Sequence, residues 1–158
     1  MASASRRGRI STRSISASPD AVLTTLLGAA RTIAVVGLSP DPGRPSHTVA
    51  RYLQRAGYRI VPVNPFATAV LGERAYPTLT RAAADHAIDL VDVFRRSAYV
   101  LDVVREAIPL TPQLIWLQEG VTDHAAAALA RAAGIPFVMD RCLAVEHGRL
   151  ISSPPEAE

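Results

Sequence analysis

The sequence has no lysine: all 17 basic residues are arginine. A phosphate loop of the Walker type needs a lysine on the terminal phosphates and is therefore excluded. There is one cysteine, Cys142, so neither an intramolecular disulfide nor a cysteine-rich zinc site can form. So little cysteine suits a reducing, cytoplasmic setting. No apolar run approaches the roughly 20 residues of a membrane helix, because arginines and acids interrupt each one. No membrane association is expected. A basic surplus over the body of the chain is missing too. The formal net charge of +3 and the pI near 9.6 arise from Arg6, Arg7, Arg9 and Arg13, with no acid among residues 1–17. The other 13 basic residues face 14 acidic ones. A body so balanced lacks the electrostatic footprint of a nucleic-acid binder.

What is present is enough for one core: 158 residues, 49% of them hydrophobic. Residues 1–17, rich in Ser and Arg, read as a disordered tail, although an organelle transit peptide has the same composition. A single domain is expected over residues 18–151, followed by a flexible C-terminus over 152–158.

Within that domain apolar runs alternate with amphipathic ones. Strands are predicted in "TIAVVGL" (32–38), "YRIVPVNP" (58–65), "IDLVDVF" (88–94), "PQLIWLQEGV" (112–121, with its exit loop) and "IPFVMD" (135–140). A leading helix over 18–30 carries Pro19 at its first position. "SHTVARYLQRAG" (46–57) places Val49, Tyr52, Leu53 and Ala56 on one face, with Gly57 closing the helix. A connector with turn signals at Gly72 and Pro77 leads to a short helix in "TRAAADHA". "SAYVLDVVREAI" (97–108) is a helix with Ser97 at its N-cap. "TDHAAAALARAAG" (122–134) is another, with Thr122 at the cap and Asp123 in the first turn. Strands separated by helices imply βαβ units and a doubly wound, mainly parallel five-stranded sheet with helices on both faces. Ligands bind such sheets at the carboxyl ends of the strands.

The exit of the first strand is the loop of "AVVGLSPDPGRPSHTV" (34–49). Gly37 permits a sharp turn, the hydroxyls of Ser39 and Ser46 can donate, and Arg44 offers a planar cation at the mouth of a helix. That combination suits phosphate. The alternative makes Ser46 a plain N-cap and Arg44 a solvated charge. A dinucleotide fingerprint would put a second glycine where Ser39 stands and an acid after the second strand, where Asn64 and Pro65 stand instead. Binding of NAD is disfavoured.

Six stretches, "VVGLSPDPGRPSHTVARYL", "GYRIVPVNP", "VLGERAYPTL", "DLVDVFRRS", "LIWLQEGV" and "AGIPFVMDRC", occur in register over roughly residues 30 to 145. Together they resemble the CoA-binding domain proteins, a Rossmann-like group related to the amino-terminal domain of the succinyl-CoA synthetase α subunit. The resemblance implies coenzyme A or an acyl-CoA as ligand. It implies a pyrophosphate site at Gly37, Leu38, Ser39 and Pro40 together with Ser46, His47 and Thr48. It implies an adenosine-side wall at Val63, Asn64 and Pro65, a crevice border at Phe94 and Arg95, and a pantetheine-side segment at Gln118, Glu119 and Gly120. The synthetase carries its phosphohistidine in a further domain with no counterpart here, so binding without ligase activity is what the resemblance implies.

Other residues invite chemistry and are read more plainly. His47 could donate to a phosphate or be merely solvated. His86, His124 and His147 are scattered without metal-ligand spacing and read as surface residues, and no metal site is expected. Cys142 has no readable base and is taken as a structural or buried thiol. Asp89 and Asp92 lie three apart on a strand and so face opposite sides. Trp116 is assigned to the core. Three functions follow: a small CoA-binding protein without turnover, a nucleotide-dependent enzyme on the same fold, or an interaction subunit whose protein partner the sequence does not name. The intact anion loop favours the first.

Overall fold

The computed structural model describes residues 18–151; the tail and the C-terminus named above lie outside them. Six α-helices and seven strands follow in the order α1 (Pro19–Ala29), β1 (Thr32–Val36), α2 (Pro45–Arg55), β2 (Arg59–Val63), β3 (Ala69–Val70), β4 (Glu73–Arg74), α3 (Leu79–Asp85), β5 (Leu90–Val93), α4 (Ser97–Ala107), β6 (Leu114–Leu117), α5 (His124–Ala132), β7 (Phe137–Val138) and α6 (Leu143–Leu150). Five strands form one parallel sheet in the order β2-β1-β5-β6-β7. The doubly wound fold expected from the alternating pattern is the fold observed.

Both faces of the sheet are covered, which is why its strands are apolar without strict alternation. Ala34, Val36, Val91, Val93, Ile115 and Leu117 pack on one side with residues of α3, α4 and α5. Ile33, Val35, Leu90, Leu114 and Trp116 pack on the other with residues of α1, α2 and α6. Trp116 is fully buried, as expected, and its indole N–H reaches the Arg141 carbonyl at 2.8 Å. On α2 the inward stripe is Ser46, His47, Val49, Ala50 and Leu53. Ala56, read as part of that stripe, is exposed.

Several boundaries differ from the sequence reading. Asp123, not Thr122, caps α5: its carboxylate accepts the Ala126 N–H at 2.9 Å. Ser97 is the first helical residue of α4 rather than its cap, and its hydroxyl accepts the Thr122 N–H instead. The connector after β2 holds an antiparallel hairpin, β3–β4, turned by Leu71 and Gly72 with φ of 56° and 78°. Two consecutive positive φ values are what a two-residue hairpin of this hand requires, and strands of two residues carry no period to read. The helix α6 was also missed. Asp123→Ala is expected to lower stability by about 1 kcal/mol, and Thr122→Ala by under about half of that, in urea denaturation. Equal losses would return the cap to Thr122.

Candidate functional site

The chain order β2-β1-β5 makes β1 the strand from which successive connections leave in opposite directions, so the loops after β1 and β5 part and open a crevice. Gly37 forms the turn at its floor. Its φ is +87°, its N–H bonds the Val63 carbonyl at 2.8 Å, and a Cβ there would collide with the Phe94 carbonyl oxygen. Only glycine lets the β1 and β5 exits run this close.

The loop that follows is braced by its own polar groups. The Ser39 N–H bonds the Ser46 hydroxyl oxygen at 3.0 Å, the Asp41 N–H bonds the Ser39 hydroxyl oxygen, and the Gly43 N–H bonds the Asp41 carboxylate at 2.9 Å. Ser46 is therefore not the N-cap. Arg44 occupies that position, no side chain caps the helix, and no acid lies in its first turn. An open helix start beside an arginine favours an anion.

Two cavities meet here. One, of about 570 Å³, is lined by Ser39, Ser46 and Val49 and, across the sheet, by Gln118, Glu119, Gly120 and Cys142. The other, of about 920 Å³, runs past Val63, Asn64, Pro65, Phe66, Thr78 and Tyr99. Gly37, Arg44, Phe94, Arg95 and Arg96 line both. The junction thus carries three arginines. Arg95 lies over the Tyr99 ring at 4.7 Å from its centroid, which limits where its guanidinium can point.

The far walls are held by specific bonds. Asn64 donates to the Leu38 carbonyl at 2.9 Å and accepts the Phe66 N–H at 2.8 Å, tying the β2 exit to the anion loop. Gly120, at φ +85°, donates its N–H to Asp140 at 2.7 Å; Asp140 itself sits at φ +63°. That pair pins the Gln118–Gly120 segment against the end of β7. Gln118 is nearly buried and donates its amide N–H to Asp92 at 2.7 Å.

Of the residues expected from sequence, Gly37, Ser39, Arg44, Ser46, Phe94, Arg95, Gln118, Glu119 and Gly120 line the first cavity, and Val63, Asn64 and Pro65 the second. Leu38 is fully buried in the core, and Pro40, His47 and Thr48 line neither cavity. His47 is buried rather than solvated, with no partner for Nδ1 among the described residues. Arg96, Tyr99 and Phe66 were missed, because helix starts and loop tips have no period that marks which way they face. Cys142 is half-buried at the head of α6 and lines the first cavity. His147, read as a surface residue, is buried between α2 and the core. Its Nδ1 lies 3.0 Å from the Tyr52 hydroxyl, its ring meets Tyr52 and Tyr58 edge-on, and burial lowers its pKa.

Comparison with known proteins gives a consistent set. The CoA binding domain family matches residues 31–148. Uncharacterized protein YneT of Bacillus subtilis is 38% identical over 127 residues, 80% of this chain and 93% of that protein. A solved Thermus thermophilus structure, cell-free ID.343, is 43% identical, with a TM-score of 0.80 over 85% of this chain and all of that one. The acetyl-coenzyme A synthetase 1 of Ca. Korarchaeum cryptofilum shares the fold, at a TM-score of 0.62 and 21% identity over 69% of this chain and 25% of its own.

Proposed function

This chain belongs to the CoA-binding domain family, and from that membership we propose that it is a small CoA- or acyl-CoA-binding protein. One observation carries the reading. Gly37, Arg44, Arg95 and Arg96 stand where two cavities join, a layout that suits a ligand with phosphates in its middle and an arm on either side. CoA has that form, with a pyrophosphate between its adenosine and its pantetheine arm. The cavities are also of the size ordinary for small-molecule sites, about 300–1,000 Å³ each.

The pyrophosphate would lie at the open start of α2, with the adenosine along Val63, Asn64 and Pro65 and the arm toward Gln118, Glu119 and Gly120. A dinucleotide such as NAD shares the two-armed form. It would look for an acid at the end of β2 to hold its ribose hydroxyls, and this chain has Val63-Asn64-Pro65 there. The reading is of binding without turnover: arginines, amides and a helix start hold phosphates, and acyl transfer needs a nucleophile with a positioned base. Relatives matched over most or all of their own length fit a stand-alone protein of this size, and the single cysteine fits a reducing, cytoplasmic setting.

Calorimetry with CoA and NAD tests the reading. CoA should bind and NAD should bind more weakly; no CoA binding, or tighter NAD binding, overturns it. Arg44→Ala should weaken CoA binding by about 1.5–3 kcal/mol, the value of a hydrogen bond to a charged group. Incubation with acetyl-CoA should release no CoA above the uncatalysed rate.

A further inference from the structure

Asp92 lies in the middle of β5 with no exposure to solvent, flanked across the sheet by Val35 and Trp116. A carboxyl is expensive to hold in such surroundings, yet it is only half satisfied. Its Oδ1 accepts the Gln118 Nε2–H at 2.7 Å, while Oδ2 has no partner among the described residues. Gln118 in turn lines the 570 Å³ cavity. With one Nε2–H committed to Asp92, that end of the Gln118 amide is turned to β5 and Oε1 is its acceptor for a ligand.

Resting on the CoA reading, we infer that Asp92 is a positioning residue: its carboxylate fixes which end of the Gln118 amide faces the ligand. Oε1 is then held as an acceptor for the donors of the CoA arm, namely its amide N–H groups, hydroxyl and thiol. A hydrophobic residue in place of Asp92 would pack β5 better but leave the amide free to turn over.

The chemistry makes the arrangement sensitive to a proton. An ionised carboxylate can only accept, so it holds the amide nitrogen. A neutral carboxyl can donate, which lets the amide reverse and offer N–H to the ligand instead. Burial pushes the Asp92 carboxyl up to about 7, with the Gln118 bond acting the other way. Both forms are therefore populated near neutrality. The ionisable groups on the surrounding elements are Arg44, His47, Arg51, Tyr52 and Arg55 at the head of α2 and along it, Arg95 and Arg96 after β5, Glu119 after β6, Arg141 and Cys142 after β7, and Glu146, His147 and Arg149 on α6. None of them is among the causes of the shift.

The experiment compares wild type and Asp92→Asn, each titrated calorimetrically with CoA and with adenosine 3′-phosphate 5′-diphosphate, which keeps the phosphates and lacks the arm. Asparagine both donates and accepts at every pH, so it holds neither amide orientation. Taking the ratio of wild type to variant for each ligand cancels titration of the ligand and of the other side chains. For CoA the ratio should rise about fivefold between pH 5.5 and 8.5, the worth of one hydrogen bond. For the armless ligand it should stay flat. Gln118→Leu should remove the pH-dependent gain in CoA affinity. A flat ratio for CoA, or equal changes for both ligands, overturns the positioning role while leaving the CoA reading in place. Failure of wild type to bind either ligand overturns the CoA reading, and this inference falls with it.

Discussion

Gly37→Ala is expected to unfold the protein more readily by about 3 kcal/mol or more, because two penalties coincide at one atom. The first is local: φ at Gly37 is +87°, where an L side chain is strained. The second is steric. The new Cβ would fall on the Phe94 carbonyl oxygen, a backbone atom with little freedom to withdraw. The Phe94 N–H is tied to the Val36 carbonyl at 2.8 Å and the Gly37 N–H to the Val63 carbonyl. Relief therefore requires β1 and β5 to separate at the very point where the crevice forms. Urea denaturation of wild type and variant measures the loss, and CoA titration of the folded fraction should show binding lost as well. A midpoint shift within experimental error would mean that the exits of β1 and β5 yield easily.

The second large effect concerns Asp92 and the pH dependence of stability. Its folded-state pKa is raised by burial from 3.8 to about 7. Below the unfolded value both states hold the proton and the carboxyl carries no penalty. As pH rises from about 4 to about 7 the unfolded chain releases its proton and the folded chain does not, so stability falls over that interval and levels off above it. About three pKa units correspond to about 4 kcal/mol. Asp92→Asn cannot ionise, so the variant should gain on wild type by that order between pH 4 and pH 8. His147 acts in the opposite sense. Burial lowers its pKa, so its contribution is present above the unfolded value of 6.5 and is lost as pH falls below it. The exposed pair of Asp20 and Arg149 lies in the solvent, where ion pairs contribute little. Urea midpoints at several pH values, run in parallel on wild type and variant, test the assignment. Curves that stay parallel would show that Asp92 keeps its ordinary pKa in the folded protein. A residue that weakens the fold at neutral pH is more easily understood if it serves the crevice.

The order of the five sheet strands and of helices α1 to α5, the parallel sheet and the first half of the crevice are legible in the sequence, whereas the hairpin β3–β4 and the helix α6 are not. Five apolar runs without strict alternation fit strands covered on both faces. A glycine followed by hydroxyls and Arg44 marks a strand exit in the sequence alone. Six stretches kept in register carried the family resemblance, and the match of the family over residues 31–148 shows the membership. These features are legible because they are local: period, glycine punctuation and helix starts lie within about ten residues of one another. The rest depends on contacts that the packed fold creates. That fold set Arg96 and Tyr99 on the crevice, brought Cys142 to the same cavity as Ser46, and buried His147 against Tyr52 and Tyr58. It also turned Asn64 inward to brace Leu38 and joined Asp92 to Gln118 across two strands. Each of these pairs residues that are far apart in the chain. Side-chain direction at a strand exit depends on which neighbour the sheet places beside it, and strand order is not encoded in the periodicity of any single segment.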